Sequence, residues 1–310
     1  MTTTPYISAD IGGSHITCAA IDPSTKSIIA DSITGADVDN KASAQTIIDT
    51  WCNALKQTIN KAGGCAGIGF AMPGPFDYVN GISKIKGVQK YDSLFGLNIQ
   101  QAISEKLGLN ASQPVRFIND ATAFAIGECW SGIAAGKSKV MALTLGTGFG
   151  SAFINKGLPV LNGDSVPKLG CVYHLPFKES IADDYFSTRW FLNNWSKKGG
   201  EPLKGVKEIA MLAKDGNEMA LSLFKEFGQN MGQFLAPWIK RFNAGYIVVG
   251  GNISNANDLF LPSLKKALKE NEATIEIGFS GLQEEAALLG GARLLDNAYY
   301  TEVLPLLSLM

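Results

Sequence analysis

The chain alternates between two rhythms of apolar residues, one with the period of a strand and one with that of a helix, and glycine clusters mark many of the changes. Residues 6–10 and 16–21 are rich in β-formers on either side of Gly12-Gly13, which predicts a hairpin. Ala44, Ile47, Ile48, Trp51, Leu55 and Ile59 then recur near the 3.6-residue period, predicting a helix over 42–61. A short strand over 66–71 runs into Met72-Pro73-Gly74-Pro75, which stops it. Asn98 and Gly108 are the residue types that cap the two ends of a helix between them. A buried strand over 115–118 and a helix over 121–130 follow.

At Val140 the pattern restarts. A strand over 140–145, the turn Gly146-Thr147-Gly148-Phe149-Gly150 and a strand over 151–154 repeat the first hairpin unit, implying two similar halves that each present a glycine turn. Helices are predicted over 205–214 and 218–242, a strand over 246–249, a helix within 259–269, a strand over 274–278 and a helix near 284–297. Residues 159–180 have no clear period and are expected as loop and edge structure. Mixed units of this kind define an α/β class.

Composition narrows the function classes. A length of 310 residues suits about two domains. The charged share of 18% is below the roughly 25% of an average soluble protein, against intrinsic disorder. Lys and Arg total 27 against 28 Asp and Glu, so there is no electrostatic footprint for nucleic acid or an anionic membrane. No apolar run reaches the ~18 residues of a membrane span, and the first residues lack the basic-then-apolar pattern of a signal peptide. The five cysteines, at 18, 52, 65, 129 and 171, form no CxxC pair. That usage suits a reducing compartment, and a cytoplasmic location is expected.

Four segments can carry chemistry, and each also has a purely local explanation. Asp10, followed by Gly12, Gly13 and Ser14, can hold a hydrated Mg²⁺ beside backbone amides that meet phosphate, or can be ordinary hairpin chemistry. Gly146-Thr147-Gly148 exposes amides and a hydroxyl, but lacks the ending of a P-loop and the helix that would directly follow a dinucleotide turn. Asp120, where a buried strand enters a helix, can take a proton from a bound hydroxyl with Asn119 orienting the substrate, or can simply cap the helix. Gly250-Gly251 can let a flat adenine ring lie on the backbone, or can be a turn.

In this order the four segments, joined by Gly69-Phe-Ala-Met-Pro73-Gly74-Pro75, Gly127-Glu128 and Leu289-Gly290-Gly291-Ala292, resemble the ROK family over nearly the whole chain. These are the sugar kinases and sugar-responsive repressors of the actin/hexokinase-like ATPase superfamily. The resemblance implies a two-lobed actin-like ATPase (ribonuclease H-like) fold with a cleft between the lobes. The first lobe is expected over 1–119 plus about 291–310, and the second over 120–290. It implies transfer of the ATP γ-phosphate to a hexose or hexose-derivative hydroxyl, commonly O6. Asp120 would be the base. Asn119, Asp120, His174, Asp183 and Gly74 would lie at the sugar, and Asp10 would organise Mg²⁺ through water. Gly12, Gly13, Ser14, Gly146, Thr147 and Gly148 would surround the phosphates, and Gly250 and Gly251 would border the adenosine. A dimer or tetramer of like chains is the family habit.

The departures are as informative. In Gly170-Cys171-Val172-Tyr173-His174 a cysteine stands where the family pattern has a sugar-binding Glu, so the resemblance does not carry over a particular sugar. No cysteine follows Cys171, so the structural zinc common in the family is not expected. Asp183 aligns with a second family Glu, one methylene shorter, and His15 with a frequent Lys. The first phosphate turn begins at Asp10, so no helix-turn-helix precedes it and direct DNA binding is not expected. Beside the kinase stands one alternative, a catalytically weak sugar-binding or regulatory protein.

Overall fold

In the computed structural model of the protein, described for residues 4–87 and 90–310, the first predicted hairpin forms from β1 (Tyr6–Ile11) and antiparallel β2 (His15–Asp22). Short β3 (Ser27–Ile28) and β4 (Thr34–Asp37) both pair with β2. Helix α1 (Ala44–Ala62) opens where the Ser43 hydroxyl accepts from Thr46 N–H, and ends at Gly63 in the left-handed region. Its Ile47, Ile48, Trp51 and Leu55 are buried, as their period predicts. Strand β5 (Ile68–Met72) lies parallel to β1. After the small hairpin of β6 (Phe76–Asp77) and β7 (Ile82–Ser83) comes α2 (Ile99–Leu107), capped by Asn98 and Gly108 as expected. Strand β8 (Val115–Asn119), parallel to β5, feeds directly into α3 (Asp120–Trp130).

A second hairpin, β9 (Lys139–Leu145) with antiparallel β10 (Phe149–Asn155), restarts the pattern. Beyond β11 (Leu158–Pro159), β12 (Pro176–Phe177) and β13 (Ser180–Ile181) form a small hairpin in the stretch without clear period. Helices α4 (Ala182–Tyr185), α5 (Thr188–Lys197), α6 (Val206–Lys214) and α7 (Glu218–Phe242) follow. Then come β14 (Tyr246–Gly250), α8 (Asn257–Glu270) and β15 (Glu276–Phe279). Strand β9 runs parallel to β14, and β14 to β15. The sheets β2-β1-β5-β8 and β10-β9-β14-β15 therefore share one plan, a hairpin followed by two parallel strands. The predicted repeat is real at the level of topology.

The predicted helix near 284–297 is two helices, α9 (Glu285–Arg293) and α10 (Asn297–Leu307). The break lies at Asp296, whose carboxylate accepts from the N–H groups of Ala298 and Tyr299 and starts a new helix. Helix α10 buries Tyr299, Val303 and Leu307.

Two compact units result. One holds the described residues up to Gly136, Gly157–Pro159 and Glu284–Met310; the other holds Lys137–Lys156 and Val160–Gln283. By contact, the division falls at 136/137 and the return to the first unit at 284. The reason is the contact of α3 with α9. A Cβ on Gly290 would lie 1.8 Å from the Ala123 carbonyl oxygen, and one on Gly127 would lie 1.9 Å from that of Ala286. On its sheet side α9 comes as close to β5, where a Cβ on Gly69 would lie 2.0 Å from the Gly291 carbonyl. The second unit packs around phenylalanine, with Phe191, Phe224, Phe227 and Phe260 in a ring-to-ring cluster.

Candidate active site

In the first unit, three parallel strands end at one edge of the sheet, where open α/β sheets bind their ligands. Strand β1 delivers Asp10, β5 delivers Met72 and the following Gly74, and β8 delivers Asn119 and then Asp120. The register places Asp10 opposite Ala71 and Met72 opposite Asn119. Beyond Asp10, Gly12 N–H donates to the His15 carbonyl at 2.9 Å and closes the turn. That amide is therefore spent, and among the described residues the N–H groups of Gly13 and Ser14, both exposed, are the ones left to meet a ligand. The His15 ring covers Gly12 so closely that a Cβ there would touch it at 2.4 Å.

Two residues without a sequence signal brace this turn. The Tyr91 hydroxyl donates to the Gly12 carbonyl at 2.7 Å, and the Asn40 side-chain amide donates to the Gly13 carbonyl. Tyr91 N–H in turn donates to the Asn40 carbonyl at 2.7 Å, so the two braces hold each other.

The Asn119-Asp120 step separates the two roles that the sequence left open. Asn119 is the helix cap: its Oδ1 accepts from Thr122 N–H at 3.2 Å. Its Nδ2 donates to Asp120 Oδ1 at 2.9 Å, and Ala121 N–H donates to the same oxygen at 2.9 Å. Asp120 is thus fixed through one oxygen and is not needed as the cap. Burial raises its pKa, while Ala121 N–H, Lys90 and Asn119 pull it back. Asp10 is pushed up to about 7, first by burial and then by the charges of Asp120 and Glu284. A divalent cation would favour its ionised form. Asp10, a carboxylate oxygen donor at the strand end, suits Mg²⁺, which keeps much of its water and takes one or two carboxylates. Among the described residues, no group of three or more His, Cys, Asp or Glu side chains converges as a metal cage.

In the second unit the corresponding edge joins the other two glycine motifs. Strands β9 and β14 end side by side, with Gly250 opposite Thr144. Gly251, at φ +82°, presses on Leu145, where a Cβ would lie 2.5 Å from the carbonyl oxygen. Only glycine meets both demands. The turn between β9 and β10 closes through Gly146 N–H to the Gly148 carbonyl at 3.1 Å, with Thr147 exposed at its tip. Thr188, starting α5, donates to the Gly146 carbonyl from both its N–H, at 2.8 Å, and its hydroxyl, at 3.0 Å.

Asp183 belongs to this turn. Its Oδ1 accepts from Phe149 N–H at 2.7 Å, and its Oδ2 pairs with Arg189 at 2.6 Å. Both of its oxygens therefore have partners within the unit, Oδ1 at the glycine turn and Oδ2 at Arg189 on α5. Its N–H donates to the Tyr173 carbonyl at 2.9 Å, tying in the loop that carries Cys171 and His174. Cys171 Sγ lies 3.8 Å from His174 Nδ1, and burial pushes the thiol up to about 11, so it brings no charge at neutral pH. His174 lines an open cavity of about 630 Å³ with Asp164, Lys168, Trp238 and Arg241.

Two sheet-bearing units of this plan are the architecture of the actin-like ATPases. The chain belongs to the ROK family, whose sequence profile matches residues 6–298. Over 291 residues it is 26% identical to the N-acetyl-D-glucosamine kinase of Haemophilus influenzae, covering 85% of this chain and 88% of that one. Over 257 residues it is 26% identical to the glucokinase of Thermotoga maritima, covering 74% and 79%. The ROK family glucokinase of Streptomyces griseus, solved with glucose and AMPPNP, shares the fold with a TM-score of 0.76 at 21% identity, over 94% and 98% of the two chains. A ROK family transcriptional regulator homologous to the E. coli MLC protein shares it with a TM-score of 0.79 at 17% identity, over 98% and 81%. No helix among the described residues is long and apolar enough to cross a membrane.

Proposed function

We propose that this protein is an ATP-dependent sugar kinase that moves the ATP γ-phosphoryl group to a hydroxyl, O6, of a hexose or hexose derivative. The observation that carries the reading is the edge of the first sheet. There a half-buried carboxylate, Asp120, is oriented by Asn119 at the same sheet edge as the Asp10 carboxylate and a braced turn with two open amides. The glucokinase and N-acetylglucosamine kinase relatives support the sugar class.

Phosphoryl transfer needs positioning and charge neutralisation more than covalent chemistry. Asp120 accepts the proton of the attacking hydroxyl, and its burial makes it a stronger base than a solvated carboxylate. Asn119 keeps that carboxylate aimed while capping α3. Asp10 is assigned to the Mg²⁺ that comes with ATP, which neutralises phosphate charge. Gly13 and Ser14 in the first unit, and Gly146, Thr147 and Gly148 in the second, are assigned to phosphate oxygens. Gly250 and Gly251 are assigned to the adenosine, and Gly74 and His174 to the sugar.

The test is ADP release from Mg-ATP across hexoses, amino sugars and β-glucosides, for the wild type and Asp120→Asn. A sugar-dependent signal that falls by roughly 10²–10⁴-fold in the variant is expected, the usual weight of a general base. Sugar binding by calorimetry without sugar-stimulated ADP release would sink the kinase and favour a binding or regulatory protein.

A further inference from the structure

The edge that holds Asp10 and Asp120 is rich in negative charge, since Glu284 also acts on Asp10. A phosphate bound there would add more, so the site needs a cation beyond any metal. Lys90 is in the right place. Its Nζ lies 4.0 Å from where a Cβ on Gly13 would be, and its charge acts on Asp120. One residue therefore reaches both the phosphate turn and the base, all within the first unit.

Its position is built. The next residue, Tyr91, is fully buried, stands edge-on to Trp51 at 5.7 Å and bonds both Gly12 and Asn40. Lys90 is thereby tethered to the same braces that shape the turn. Its own side chain is exposed, lines a shallow depression with Asn40, Lys41, Asp92 and Ser93, and among the described residues makes no ion pair within 4 Å. An ammonium on a long stem, anchored at the base and, among the described residues, without an ion pair at the tip, is a ready point charge for phosphate.

We propose that Lys90 is a catalytic residue whose ammonium binds the transferring phosphoryl group between the Gly13 turn and Asp120. The inference rests on the kinase reading. In the balanced step, the bond from the γ-phosphorus to the β,γ-bridging oxygen breaks and a bond from that phosphorus to the sugar oxygen forms. The hydroxyl proton passes to Asp120, and ADP leaves. Lys90 makes and breaks no covalent bond. It offsets the charge carried by the three non-bridging oxygens, the main demand of this transition state.

The experiment compares wild type, Lys90→Met and Lys90→Arg in kcat, in KM for the sugar, and in calorimetric Kd for Mg-AMPPNP and Mg-ADP. For Lys90→Met, kcat is expected to fall about 10²–10³-fold, the weight of one donor on a transition-state oxyanion, with sugar KM within about threefold. Lys90→Arg recovers part of kcat. The methionine variant also weakens Mg-AMPPNP about tenfold and leaves Mg-ADP unchanged, because only the former presents a γ-phosphoryl group. A rise in sugar KM at constant kcat would move Lys90 to the acceptor and overturn the proposal, as would equal loss of both nucleotides or no change. If the wild type turns over no sugar, the kinase reading fails. The AMPPNP-against-ADP comparison still decides where Lys90 acts.

Discussion

Asp120 and Asp183 are both carboxylates that stand beside ligand motifs in the sequence, and their surroundings assign them different work. Asp120 is held through one oxygen and kept basic by burial. Asp183 spends one oxygen on Phe149 N–H and the other on Arg189, at the turn that begins with Gly146. Removing Asp183 should therefore loosen the Gly146 turn, proposed for phosphate, more than the proposed sugar site. Asp183→Ala is expected to raise KM for Mg-ATP about tenfold, the equivalent of one lost hydrogen bond to a charged group, with sugar KM within about threefold. Steady-state kinetics with each substrate varied in turn separates the two, and the reverse pattern would support the sugar role expected for Asp183. The Asn119-Asp120 pair was legible in the sequence as a strand-to-helix step. Which of the two caps the helix was not, because both residue types are good caps and only the geometry of α3 distinguishes them.

Among elements, the glycine motifs divide in the same way. Gly69, Gly127, Gly290 and Gly291 let α9 lie against β5 and α3 backbone to backbone, so these family motifs are packing devices. A Cβ at Gly146 would meet nothing within 4 Å. Gly290→Ala should overpack the α3–α9 contact and cost about 3 kcal/mol, lowering Tm on the order of 10 °C. Gly146→Ala is expected to leave Tm within about 2 °C while weakening Mg-ATP, since the space a ligand would use is open. Calorimetric melting of the two variants checks both, and equal destabilisation would contradict the contrast. Helix lengths and ends followed the sequence wherever apolar period and caps agreed, as in α1, α2 and α7. They failed at α4 and α5, where short helices rich in aromatic and polar residues carry little local signal.

For the whole molecule, the C-terminal segment completes the first unit. Arg116 on β8 donates to the Leu294 carbonyl at 2.6 Å and to Asn297 at 2.7 Å, and it stacks over the Tyr300 ring at 3.8 Å. Tyr299, Val303 and Leu307 are buried on α10, and each such side chain contributes about 1.5–3 kcal/mol. Truncation after Asp296 should therefore lower Tm by about 10 °C or more. An unchanged melting profile would mean that α10 does not pack as described.

The sequence by itself determined the α/β class, the two hairpin-led halves and the set of motifs, because apolar period, caps and turn residues act over a few neighbouring positions. It did not determine the unit boundary, the role of each glycine pair, or the placing of Asn40, Lys90 and Tyr91 around the Gly12-Gly13 turn. A glycine looks the same in sequence whether a helix backbone or open space faces it, and loop residues carry no period. The tertiary structure decided those, by bringing segments distant in sequence to one sheet edge.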